Sequence, residues 1–105
     1  MKSKVAFSIV ESQTAAAVEG TVRRAMNLVE WDRDLDPASI FLKVNLLSRE
    51  VMPGQCTSPW VFAAVLQEVK ERFPAAAIYF GDCEVATSRQ VDDAVRNWGI
   101  LPIGE

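Results

Sequence analysis

Short apolar runs alternate with amphipathic stretches along this chain, and that alternation most restricts what it can fold into. Val5-Ala-Phe-Ser-Ile-Val10, Ile40-Phe-Leu-Lys-Val-Asn-Leu-Leu47 and Ala77-Ile-Tyr-Phe80 have the length and residue types of strands. Between the first two, Val18, Val22, Ala25 and Val29 recur at helical spacing, with Met26 beside them. Ser12 or Thr14 can cap that helix. It should fade near Trp31, because Asp32, Asp34 and Asp36 oppose the negative end of its dipole. Asp36-Pro37 makes the turn into the second strand. Ser58 as cap and Pro59 at the first helical position open a second helix, which Pro74 ends. Its buried stripe is Phe62, Val65, Leu66, Val69 and Phe73, while Gln67, Glu68, Lys70 and Glu71 face water. Thr87 with Gln90 matches a capping box for a third helix, with Val91, Ala94, Val95 and Trp98 on its apolar face. Gly99 reads as its C-cap, and Ile100-Leu-Pro-Ile103 as the start of another extended element.

The order βαβαβα predicts an α/β fold: a three-layer, Rossmann-like arrangement in which helices cover a small parallel sheet. A three-stranded sheet would leave both edges open, so either the chain dimerises or it is one part of a larger architecture. At 105 residues the chain fits a single domain, 1–105, able to bury roughly two thirds of its unfolded surface. Half of it is hydrophobic and 24% charged, which is globular rather than disordered composition. A net charge of −3, with no basic cluster beyond Arg23-Arg24, argues against nucleic acid, whose phosphates need a basic face. The longest apolar runs fall far short of the ~20 residues of a membrane span. The apolar stretch after Met1-Lys-Ser-Lys4 is too short for a secretory leader, so the expectation is a cytoplasmic protein. The complete lack of histidine removes Ser-His-Asp and Cys-His nucleophile activation and the His-containing zinc patterns. Two cysteines, Cys56 and Cys83, are too few for an iron–sulfur cluster within this chain. The sequence leaves any other cofactor open. Any chemistry must use carboxylates, lysine, thiols or hydroxyls.

Lys43 and Asn45 stand out because they interrupt a run apolar enough to be buried. A buried ammonium is costly, and such lysines pair, shift their pKa or sit at a strand mouth. In an open parallel sheet, ligands bind beyond the carboxyl ends of the strands. Lys43 and Asn45 fall near the end of the second strand, and Asp82 just beyond the third. Thr57-Ser58 begins the intervening helix at the same edge, where free backbone N–H groups favour an anion. The segment from Ser48 to Cys56, containing Pro53-Gly54, is a long connection of the kind that carries function.

These signals together resemble the family catalogued as domain of unknown function 362. The residues that carry the resemblance are Phe41-Leu-Lys43-Val-Asn45-Leu, Pro53-Gly54, Thr57-Ser58-Pro59, Gly81-Asp82-Cys83 and Gly99-Ile100. It covers about the last two thirds of the chain. Three positions depart from the family pattern. Val44 stands for a proline, Cys83 for a serine, and Glu84-Val-Ala-Thr for a glycine-rich continuation. Longer members continue beyond this point, and some carry ferredoxin-type cysteine motifs. The resemblance implies that this chain corresponds to the family's N-terminal portion, alone or as part of a longer protein. It supplies an expected fold and site but names no reaction.

Two functional readings follow. In one, the chain is a binding module whose strand-end residues Lys43, Asn45, Thr57, Ser58 and Asp82 hold a small anionic ligand or a partner. In the other it is a catalytic half-domain, with Lys43 and Asp82 doing acid–base work on a site completed by a partner chain or a C-terminal region. A purely structural reading competes with both: Lys43 and Asp82 as an ion pair, Asn45 as a loop tie, Ser58 as a cap. Cys56 and Cys83 read more simply as small, partly buried thiols than as a redox pair or metal ligands. Trp60, early in its helix, could line a pocket or a partner surface.

Overall fold

A computed structural model describes residues 2–46, 54–82, 96–97 and 99–104. Within them the chain is a mixed α/β structure with the order α1 (Ala15–Leu28), β1 (Ser39–Lys43), α2 (Pro59–Arg72), β2 (Ala77–Gly81) and α3 (Ile100–Gly104). β1 and β2 pair in parallel, with Ser39 opposite Ala77 and Lys43 opposite Gly81, and α2 is the crossover between them.

Local signals account for the helix ends. Of the two candidate caps for α1, Thr14 is used: its Oγ1 accepts from the Ala17 N–H at 3.1 Å. α1 stops at Leu28, earlier than expected, in a double turn. The Glu30 N–H donates to the Asn27 carbonyl and the Trp31 N–H to the Met26 carbonyl, with Glu30 in the left-handed region at φ 52°. This is the Schellman termination, here built on a non-glycine residue. The three aspartates thus lie beyond the helix. Ser58 caps α2, its Oγ accepting from the Val61 N–H at 3.4 Å, and Pro59 occupies the first turn, where its missing N–H costs nothing.

The core lies between α2 and one face of the sheet. Val44, Leu46, Phe62, Leu66 and Ile100 form its buried centre, with Leu42, Ile78, Phe80 and Ile103 packed around them. Phe62 and Phe80 meet at 5.1 Å between ring centroids. Strand alternation turns Leu42, Ile78 and Phe80 inward. It leaves Phe41 and Tyr79 exposed on the opposite face. The second side of α2 packs against α1, and this corrects one expectation. Glu68 does not face water but is buried against α1, in an ion pair with Arg23, which also reaches Glu71 at 3.0 Å. The Glu68 carboxylate holds the Arg23 guanidinium above its ordinary range, with Glu71 adding to the effect. A helix stripe read from sequence shows where apolar groups lie. A helix with two packed sides also buries a residue that can find a counter-charge.

Two further expectations are corrected. Residues 5–10 do not form a strand; Val5, Phe7 and Ile9 are exposed, and the sheet holds two strands among the described residues. Among the described residues they have no ladder partner, and strand propensity without burial or a ladder partner does not make a strand. Residues 100–103 are helical rather than extended. Ile100 and Ile103, three residues apart, both turn to the core after the positive φ of Gly99, while Pro102 in the first turn stays exposed. Among the described residues α2 covers one face of the sheet, and Phe41 and Tyr79 are exposed on the other. Of the expected helix over 87–98, Arg96 and Asn97 are helical; the rest, with Cys83 and residues 48–53, lies outside the described residues.

Candidate functional site

β1 and β2 run in parallel and end together, which brings Lys43 and Asp82 side by side at one edge of the sheet. The Val44 N–H continues the ladder by donating to the Gly81 carbonyl at 3.0 Å. One residue past the strand, Asp82 turns its carboxylate back toward β1. Lys43 Nζ donates to Asp82 Oδ1 at 3.0 Å and also reaches the Val44 carbonyl at 3.3 Å. The other carboxylate oxygen, Oδ2, accepts the Leu46 N–H at 2.8 Å. Asp82 thus clamps the segment leaving β1 from both sides.

The two partners differ in exposure. The Asp82 side chain is 10% exposed and that of Lys43 63%. The cost expected of a lysine in a buried run is therefore not incurred. Lys43 lies on the sheet face away from α2, its side chain largely in water, and the residues that sink into the core are Val44 and Leu46 just beyond it. The carboxylate is the shielded member, and the backbone donor and the lysine together compensate its loss of water.

Asn45 and Thr57 form the second half of the site. The Asn45 N–H donates to Thr57 Oγ1 at 2.7 Å, and the Thr57 N–H returns to the Asn45 carbonyl at 2.8 Å. The Asn45 side-chain amide donates to the Gln55 carbonyl at 3.2 Å. This reciprocal bridge ties the start of α2 to the end of β1, placing Ser58 and the α2 N-terminus at the same edge as Lys43.

All five residues read from the sequence are therefore brought into one neighbourhood: Lys43 with Asp82, Asn45 with Thr57, and Ser58 next to Thr57 as the cap. The Lys43–Asp82 pair, the Asn45 loop tie and the Ser58 cap of the structural reading are all present. The Leu46 N–H and the Gln55 carbonyl escaped sequence reasoning, since backbone groups carry no residue signal. A Gly-Asp step closing an apolar strand was the only hint that an acceptor would be needed there. Cys56 is a half-buried free thiol, and Trp60 is about half exposed on α2. Among the described residues no three His, Cys, Asp or Glu side chains converge in a way that could hold a metal ion. Likewise no helix there is long and apolar enough to cross a membrane.

Ion pairs also mark the opposite end of the molecule. Lys4 beside Glu30 and Arg72 beside Asp32 hold those two carboxyls below their ordinary range. These pairs fasten distant chain segments to one another. Compared with protein-family models, with curated proteins and with solved structures, the chain matches none.

Proposed function

We propose that the chain is a small-anion-binding module whose site is the shared end of β1 and β2. The observation that carries this reading is the exposed Lys43 ammonium, held 3.0 Å from a shielded Asp82 carboxylate on the same edge as the α2 N-terminus. Asp82 fixes the lysine's position, and the Leu46 N–H fixes Asp82, so the cation is oriented before any ligand arrives. An anion there would gain the Lys43 charge and the positive end of the α2 dipole. The chemistry fits a phosphate or carboxylate group, free or on a partner.

We read the βαβ unit as the centre of a three-layer, Rossmann-like domain of the domain of unknown function 362 family, working in the cytoplasm. In support, Lys43-x-Asn45 falls at the end of β1, Thr57-Ser58-Pro59 at the start of α2, and Gly81-Asp82 at the end of β2.

A thermal-shift titration with inorganic phosphate, acetate, nucleotides and magnesium tests the proposal. Phosphate should raise the melting temperature of the wild type and leave Lys43→Ala unchanged. Equal shifts in both proteins, or none in either, would refute it. The ammonium and carboxylate at hydrogen-bond distance also favour a second reading, a catalytic half-domain using Lys43 and Asp82 for proton transfer with the site completed by a partner chain or a C-terminal region. That reading requires a Lys43 pKa well below the free value of ~10.4, measurable by NMR. An ordinary value would exclude it and leave the binding module.

A further inference from the structure

The N-terminal segment has the pattern of a strand but no place in the sheet. Val5, Phe7 and Ile9 are 92%, 86% and 68% exposed, while Ala6 and Ser8 between them are partly shielded. That is the two-residue period of an extended chain. β1 uses one edge to pair with β2, and among the described residues no strand lies along its other edge. On the sheet face away from α2, Phe41 and Tyr79 are neighbours in register, 63% and 60% exposed. Parallel sheets are normally covered on both faces, and an open edge is a template for another strand.

We propose that a second copy of this chain fills these vacancies: residues 5–10 of one protomer add along the open edge of its partner's β1, and the reciprocal pairing closes a two-fold dimer. The chain alone leaves the strand unused. The Lys4–Glu30 ion pair holds the segment's start near the end of α1, and its three large side chains stay in water. A second copy carries both the missing strand and the matching edge, so one symmetric contact satisfies both.

Register and area agree with this occupant. With Phe7 on the same sheet face as Phe41, Val5 and Ile9 follow it, and the small Ala6 and Ser8 turn to the helix side. A one-residue slip would drive Phe7 toward α2, so the alternation selects one register. At ~200 Å² per aromatic side chain, the exposed parts of Phe7, Phe41 and Tyr79 sum to about 400 Å². Val5, Ile9 and Val10, at ~100 Å² each when fully exposed, add roughly 200 Å². Before any backbone is counted this approaches the ~800 Å² that each partner contributes to a standard interface.

Sedimentation of the full chain across the micromolar range, with hydrogen exchange on the amides of residues 5–10, tests the proposal independently of any anion binding. Expected are a dimer, protection of those amides that fades on dilution, and monomers for Phe7→Lys/Ile9→Lys and for Phe41→Lys. All three substitutions replace exposed side chains, so circular dichroism should show the monomer fold intact. A wild type that stays monomeric overturns the proposal, whether residues 5–10 are protected (the strand then lies on its own edge) or not. So does a dimer that survives Phe7→Lys/Ile9→Lys. Should a variant fail to fold, the concentration dependence of wild-type protection still decides.

Discussion

Replacing Asp82 by alanine removes a carboxylate that serves two neighbours among the described residues, Leu46 and Lys43. Its Oδ2 accepts the Leu46 N–H at 2.8 Å, next to a side chain only 1% exposed, and its Oδ1 accepts from Lys43 at 3.0 Å. A hydrogen bond to a charged group contributes about 1.5–3 kcal/mol, and taking the acceptor from a shielded amide recovers little from water. The Lys43 half is worth less, because an ion pair with one exposed member contributes roughly 0.2–1 kcal/mol. Asp82→Ala should therefore cost about 2–4 kcal/mol. Asp82→Asn keeps a neutral acceptor and should cost about half as much, and Lys43→Ala less than ~1 kcal/mol. Urea denaturation of the three variants, with the double variant to close the cycle, measures these values and a Lys43–Asp82 coupling below ~1 kcal/mol. If Lys43→Ala destabilises as much as Asp82→Ala, the pair rather than the backbone clamp fixes this corner, and the reasoning fails.

Three other outcomes are expected. Glu30→Gly should raise the melting temperature, because the left-handed turn at φ 52° strains a non-glycine residue while the Lys4 and Arg33 pairs it gives up are exposed; a melting temperature that falls would contradict this. Phe62→Ala, at a side chain 3% exposed and packed at 5.1 Å against Phe80, should cost about 3–5 kcal/mol by chemical denaturation. Acid should destabilise the chain in part through Glu30 and Asp32, whose carboxyls lie below their ordinary values of 4.5 and 3.8 next to Lys4 and Arg72. Depressed carboxyls give stability that is complete above those values and is lost as pH falls through the folded ones. Asp32→Asn should therefore flatten the decline of melting temperature below about pH 4, and an unchanged slope would remove Asp32 from the account.

The candidate site was legible in the sequence because its members sit at element boundaries that residue types announce. Thr57-Ser58-Pro59 is a helix start whatever surrounds it, and Gly81-Asp82 is a strand end. Parallel pairing around α2 then obliges Lys43 and Asp82 to meet. Exposure was not legible: the apolar run around Lys43 left open whether it is buried and paired or sits at a strand mouth. Only the pairing register and the position of α2 decide that Lys43 faces water while Val44 and Leu46 sink.

Local chemistry in the sequence determined where α2 and the two paired strands lie and how α2 is capped, since those choices are made within a few residues. The tertiary structure decided what each element is packed against. It buried Glu68 where α1 supplied Arg23, and it folded residues 100–103 as a helix because Ile100 and Ile103 reach one core. It left residues 5–10 outside the sheet despite their strand pattern. Burial is a property of partners brought together from distant parts of the chain, so no local window of sequence contains it.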